Sequence, residues 1–476
     1  MAAYVPRQRR ETIRAALPSA RDFRPSRTPG ELVPANPGHS GADSRGRFGA
    51  GRCGVSRREA GSPSPMMLGW PRAVSLVNAR VLTPQGIATS IRFRTRVLAI
   101  DELPRPGDRV FDLEGAFVLP GLINAHDHLE LNHYGRLKQR DRYENASAWI
   151  DDMRVALQHD GSIRRNQAYP LADRLFIGTF KNLLAGVTTV AHHNPWYRAL
   201  DEAFIRVVKR YGWAHSLALE RQPVGAHGEP GGRVGHRYTE TPSSLPFVLH
   251  AAEGTDEAAR SEFPELERLG CVKSNTVLVH GVALTAEMWR RACAADAGLV
   301  WCPASNQFLF GRTIPTRGFL DACGGARLHI ALGSDSRVTG ARDLLDEIRV
   351  GAASLSVSPA ELLQMVTVVP ASLFRLPEAG RIAVGVPADL FVLGARNADG
   401  CDVATALVTA MRKDVSLVTV GGRPLVGAPE LAGVFSARGR RTGCIAVDGV
   451  RKVADAALTR VLVRCTIREP GVEWAD

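Results

Sequence analysis

Four apolar, β-rich runs, far apart in the chain, each stop at a histidine or an aspartate. Ala116-Phe117-Val118-Leu119-Pro120 passes through Gly121-Leu122-Ile123-Asn124-Ala125 to His126-Asp127-His128. Leu245-Pro246-Phe247-Val248-Leu249 leads into His250, Thr276-Val277-Leu278-Val279 into His280, and His329-Ile330-Ala331-Leu332-Gly333-Ser334 into Asp335. Residues i and i+2 of a strand face the same side, so His126 and His128 reach one point together. Two imidazoles held on a stiff backbone suit a divalent ion that takes nitrogen ligands at about 2 Å. In a (β/α)8 barrel the strand C-termini converge on one mouth, which brings distant residues around one ion. The pattern therefore predicts an α/β chain with a (β/α)8 TIM-like barrel.

The flanks of that block read differently. Leu76–Leu82, Arg96–Ile100 and Arg109–Leu113 before it, and Asp389–Leu393 and Val415–Gly422 after it, are short strand signals. Strands before and after an alternating block predict a small composite β-sandwich domain built from both chain ends. The expected division is a tail over 1–72, the β domain over 73–119 and 381–476, and the barrel over 120–380. Within the barrel, Gly186-Val187-Thr188-Thr189-Val190 reads as the second strand and Tyr211–Leu219 as the third. His192 and His193 follow the second strand, either lining the pocket or belonging to a polar loop. Between Leu219 and Leu245 a crossover and a fourth strand do not fit a Gly- and Pro-dense stretch, because one crossover alone needs ~10–12 residues. The strand-four region is expected to be shortened, irregular or missing.

The chain resembles the metal-dependent amidohydrolase superfamily, in its cytosine deaminase, guanine deaminase and chlorohydrolase-like branch. The resemblance covers roughly Val74 to Leu425. It rests on Pro120–His128, Gly186–Val190, His250-Ala251-Ala252-Glu253, His280-Gly281, Cys302-Pro303-Ala304-Ser305-Asn306, Gly333-Ser334-Asp335-Ser336 and Gly380–Leu390. It implies one divalent metal, zinc first and Fe2+ as the alternative, bound by His126, His128, His250 and Asp335. It also implies catalytic roles for Glu253, His280 and Asp335. A divalent ion lowers the pKa of bound water toward ~7; Asp335 then orients that water and takes its proton, Glu253 relays a proton, and His280 polarises the attacked group. Without a lysine on a regular fourth strand, one metal is favoured over two.

Several residues keep a second reading. Glu253 also suits an ordinary acid at the start of the helix in Thr255–Ala259, where the dipole favours negative charge. Cys302-Pro303 reads as a strand stopped by proline, with Ser305 and Asn306 hydrogen-bonding the strand end or the substrate. The loop Leu129–Tyr134 is expected to overhang the mouth and touch a nitrogen-rich ring. The leading expectation is hydrolytic deamination of an amino-substituted nitrogen heterocycle. The alternatives are ring opening of a cyclic amide and a catalytically impaired, metal-poor binding scaffold.

The net charge of +12 does not predict a nucleic-acid partner. Residues 1–60 hold 12 Arg against 5 acids, which is +7, and leave +5 for the rest. The basic excess is thus largely a tail property. That Arg-, Pro-, Gly- and Ser-rich tail reads as disordered, either as a transit peptide, as an RNA-binding arm, or as sequence upstream of a true start at Met66 or Met67. No run approaches ~18 apolar residues, so no membrane span is expected. Eight scattered cysteines without Cys-x-x-Cys fit reduced thiols and a cytoplasmic setting. The expected partner is a small-molecule substrate, and a homo-oligomer is compatible with the sequence.

Overall fold

A computed structural model describes residues 71–220, 232–323, 329–354, 356–394 and 400–474. The expectations for the tail up to residue 70, and for residues 221–231 of the Gly- and Pro-dense stretch, lie outside the described residues. The chain is mixed α/β. The histidines and aspartate singled out in the sequence lie on or just beyond the ends of parallel strands, which we label β1 (Leu122–Asp127), β2 (Val187–His192), β3 (Arg206–Val207), β4 (Gly212–Ser216), β5 (Phe247–Ala251), β6 (Thr276–His280), β7 (Gly298–Trp301) and β8 (Ile330–Leu332).

The first three form one parallel sheet in the order β3-β2-β1, and the other five a second in the order β4-β5-β6-β7-β8. Their sequences are apolar on both faces because both faces are covered. Leu249, Leu278, Leu299 and Leu332 join the large core shared with the helices, while Val248, Val277, Val279, Val300 and Ala331 form a separate inner cluster. The two clusters alternate along each strand with the period of two that a pleat imposes. Beyond β8, the Asp335 amide donates to the His126 carbonyl at 3.0 Å, so the last strand end runs beside the first.

The strand count needs a correction. The run read as the third strand is β4, which pairs with β5, placing Gly212 opposite Phe247 and Ser216 opposite His250. Third place falls to the two-residue β3 beside Thr189 and Val190. Only residues 208–211 separate β3 from β4, too few for a crossover helix. Among the described residues between β4 and β5 there is no strand, and Leu217–Glu220 and Gly232–Glu240 are helical. The expectation of a shortened strand four falls partly on residues 221–231, outside the described residues, while the shortest of the described parallel strands is β3.

Strands from both chain ends meet in a nine-stranded sheet, in which Phe117–Pro120 lies between Leu390–Leu393 and Arg80–Thr83. A four-stranded sheet of Val74–Val77, Ile91–Phe93, Val97–Ile100 and Arg109–Asp112 shares an apolar core with it, made of Val74, Phe93, Val118, Leu390, Val392 and Leu417 among others. The run Leu76–Leu82 is not one strand. Asn78 adopts φ 48°, and this left-handed residue breaks it into Val74–Val77 and Arg80–Thr83. Among the described residues no helix is long and apolar enough to cross a membrane.

The cysteines also depart from the expectation of eight free thiols. Cys293 and Cys323 form a disulfide, at the ends of the helices Ala286–Ala294 and Thr316–Ala322, with Cα atoms 5.6 Å apart. Sequence separation gave no hint of it, because the two meet only when those helices pack.

Candidate metal centre

The strand ends bring together His126, His128, His250, His280, Asp335 and Glu253. His126 Nε2 lies 3.3 Å from His250 Nε2, and Asp335 Oδ1 lies 3.7 Å from His128 Nε2 and 4.0 Å from His126 Nε2. The ligand atoms of His126, His128 and Asp335 all fall within 4.8 Å of one another, as do those of His126, His250 and His280. Ligands at ~2.1 Å from a tetrahedral ion sit ~3.4 Å apart, so the spacing suits a single ion. His280 Nε2 lies 3.4 Å from Glu253 Oε1, on the same side of the cluster.

Neighbouring groups set which nitrogen of each ring faces inward. His250 Nδ1 faces the His215 carbonyl at 2.8 Å and His280 Nδ1 faces Asn306 Oδ1 at 2.9 Å, so each ring spends its proton outward and turns a bare Nε2 to the cluster. Burial, reinforced by neighbouring imidazoles, pushes His126 and His250 well below the usual histidine range, which keeps them neutral. Burial alone would raise Asp335; His128, His280, the Ser336 amide and the Ser305 hydroxyl outweigh it and hold the carboxyl below its ordinary value. Ser305 Oγ and Thr339 Oγ1 donate to Asp335 Oδ2 at 2.8 and 2.9 Å, leaving Oδ1 toward the histidines. Ser305 and Asn306 thus act as the sequence suggested, on the strand ends. Cys302 is the stop before the helix Pro303–Phe310, and burial drives its thiol well above the usual range, which suits a packed residue and not a nucleophile.

The backbone at these strand ends is unusual. Ala252, His280 and Asp335 adopt φ of 52°, 73° and 50°, a region that costs non-glycine residues energy and clusters at functional sites. At Gly333 a methyl would lie 2.7 Å from His126 Cβ, so only glycine lets β8 approach β1 there.

Glu253 is not the acid of the following helix. That helix is Glu257–Arg268, and Asp256 caps it by accepting from Ala259 N. Burial, then Asp335 and Glu262, raise the Glu253 carboxyl well above the ordinary range, which favours its protonated form. Its position is set from outside: Ala146 N donates to Glu253 O at 2.9 Å and Thr255 N to Glu144 O at 2.7 Å. Between them a Cβ on Gly254 would lie 2.6 Å from Glu144 O. Gly254→Ala is expected to displace Glu253 and lower turnover at least ~10-fold with full metal content. Turnover equal to wild type would refute this account of how Glu253 is held.

The amidohydrolase family is matched over residues 242–425, a span that contains His250, Glu253, His280 and Asp335. The chain carries an amidohydrolase domain. Curated relatives of this chain include the 5-methylthioadenosine/S-adenosylhomocysteine deaminases of Halobacterium salinarum, 26% identical over 62% of this chain and 77% of that protein, and of Pyrococcus furiosus, 24% identical over 68% and 83%. Among solved structures, a triazine hydrolase from Arthrobacter aurescens superposes with a TM-score of 0.60 at 20% identity, covering 75% of this chain and 95% of its own. A zinc-bound adenosine deaminase from Xanthomonas campestris gives 0.54 at 19% identity, covering 75% and 93%.

Behind the candidate metal cluster lies a polar network that the sequence reading missed. Asp127, between the two first histidines, accepts from Asn132 Nδ2 at 2.7 Å and Asn182 Nδ2 at 2.8 Å, and pairs with Lys181 Nζ at 3.1 Å. Lys181 is fully buried and also reaches Asn132 Oδ1 at 2.6 Å. The available signal was Lys181-Asn182 inside an otherwise apolar helix, Phe180 to Leu184. His215 was missed too. It stands 4.8 Å from the His250 ring centroid, with a buried Nδ1 that has no partner.

The second-strand histidines divide. His193 stacks on His250 at 4.4 Å and faces the Ala214 carbonyl, whereas His192 turns away, accepting from Leu129 N at 3.3 Å near Glu130. The loop expected to overhang the mouth folds largely inward. Glu130 accepts from Asn194, Asn132 serves Asp127, and His133 Nε2 meets the Asn166 carbonyl. Buried polar groups need partners, and these were the nearest.

Proposed function

We propose that the chain is a metal-dependent hydrolase that deaminates an amino-substituted nitrogen heterocycle. The observation that carries this reading is the Glu253 carboxyl 3.4 Å from His280 Nε2, beside the histidine and aspartate cluster. The names of the relatives support an aminopurine nucleoside as the first substrate class to screen.

His126, His128, His250 and Asp335 would hold one divalent ion, zinc in the first instance. The fit rests on the inward Nε2 atoms of the three imidazoles and on Asp335 Oδ1, which faces His126 and His128. Bound there, the ion would supply Lewis-acid activation of a water. Asp335 Oδ1 orients that water and accepts its proton. Glu253 delivers its proton to the ring nitrogen, so that the attacked carbon becomes tetrahedral without an anion building on the ring; the proton that Asp335 took from water passes to the departing amine, and the hydroxyl proton of the tetrahedral carbon returns to Glu253 as the carbonyl forms. His280 Nε2 faces the reacting carbon's substituent and fixes Glu253. The surrounding apolar walls exclude other water and strengthen each of these contacts.

The same reading treats 120–380 as a (β/α)8 barrel with a two-residue third strand, and 73–119 with 381–476 as one composite β-sandwich domain. The adjacency of β1 and β8, and the sheet shared by both chain ends, support it.

Two experiments test the proposal. His126→Ala with His128→Ala should remove the roughly one equivalent of metal carried by the wild type, read by elemental analysis after gel filtration; stoichiometric metal in the double variant would overturn the ligand set. Wild-type protein screened against amino-purines, amino-pyrimidines and triazines should release ammonia from at least one. Consumption of cyclic amides alone, with a new carboxylate and no ammonia, would overturn the deaminase reading and leave the metal site standing.

A further inference from the structure

A cavity of about 350 Å³ lies between the loop after β1, the loop after β8 and the C-terminal segment. Asn132, His133, Arg136, Arg337, Arg342 and Arg468 are among its lining, which contains four arginines and no carboxylate. Two of the four are neutralised from behind. Arg337 forms a bidentate pair with Glu469 at 2.6 and 2.8 Å, and Arg342 meets Asp343 and Asp448 at 3.2 and 3.4 Å. The other two are not. Arg136 gives one bond to the Gly340 carbonyl and lies over Phe308, and Arg468 lies over Trp474 at 4.0 Å. A guanidinium offers five donors, so most of theirs remain uncommitted. His133 Nδ1, buried and without a partner, belongs to the same wall.

We propose that this cavity binds a small oxyanion carrying more than one negative charge, the chemistry common to a phosphate group and a dicarboxylate. Planar guanidinium forks match such oxygens in pairs, and a concave wall of one sign concentrates them. The site also has a route to the metal cluster. Asn132 Oδ1 accepts from Arg337 N at 3.1 Å and from Lys181 Nζ at 2.6 Å, while its amide holds Asp127, the residue between His126 and His128. Arg337 itself follows Asp335 by two positions. An anion that draws on Arg337 or Asn132 therefore alters the metal site, and metal binding alters anion affinity by the same factor.

The inference does not depend on the proposed reaction, because binding is read directly. Metal-loaded protein is titrated calorimetrically with inorganic phosphate and, separately, with succinate, at low and high sodium chloride. At least one should bind with about one site per chain and weaken as salt is added. Phosphate alone would identify the phosphate class, and succinate alone the dicarboxylate class. Arg136→Gln with Arg468→Gln should weaken binding at least ~10-fold, as expected for losing a charge-assisted contact, with metal content and melting temperature unchanged. Arg136→Lys with Arg468→Lys, which keeps the charge, should retain more of it. No binding of either anion at tens of millimolar, or equal binding by the Gln double variant, would overturn the proposal; the second result would put the anion at the metal.

Discussion

Glu253→Gln should keep its metal and lose at least ~10²-fold in turnover, the scale of removing general acid–base catalysis. Gln fills the same space and leaves the cluster of His126, His128, His250 and Asp335 untouched, so folding and metal content should match wild type. What disappears is a carboxyl whose protonated form burial favours beside His280. Because the folded-state value is raised, the proton is held to a higher pH than on an ordinary carboxyl and leaves as the pH climbs through the raised value, so wild-type activity should decline on that alkaline side. The variant, having no proton there to lose, should lack that decline. A variant within threefold of wild type, with the same pH profile, would remove Glu253 from the chemistry.

Lys181→Met should cost roughly 3 kcal/mol of stability, at the lower end of the ~3–5 kcal/mol for breaking one side of a buried ion pair. The methionine fills the stem, yet Asp127 is left without its cation, at zero exposure for both partners. Its remaining donors, Asn132 and Asn182, moderate the loss. Adding Asp127→Asn to Lys181→Met should recover part of it, because a neutral amide no longer needs a counter-charge. Urea unfolding of the metal-free proteins measures both. A change under ~1 kcal/mol for Lys181→Met would mean that the pair is solvated.

The candidate site was largely legible in the sequence because each of its members sits at a strand end, where a local apolar run stops at one polar residue. His126, His128, His250, His280 and Asp335 carry that signal within a few residues. Asn306 and Ser305 were legible for the same reason. Lys181, Asn132 and His215 were not, since each acts through a partner that only tertiary packing supplies. The third and fourth strand positions were misread because β3 pairs over two residues, below any periodicity, and a following strand took its place in the reading. Cys293 and Cys323 escaped because thirty residues of separation carry no geometric information. The inward turn of the loop after β1 was hidden by its composition: Glu130, Asn132 and His133 look like surface groups until the buried charges they serve are known.

The strand Phe117–Pro120 enters β1 almost at once, yet one of its two hydrogen-bonded neighbours is Leu390–Leu393. During synthesis the first two histidines therefore emerge long before the strand that steadies their approach, and that interval is spent with an unpaired sheet edge. Pairings so distant are slow to form and leave intermediates prone to aggregate. A chain ending short of Leu390 would hold all four candidate ligands, His126, His128, His250 and Asp335, and still lack the strand that closes that edge.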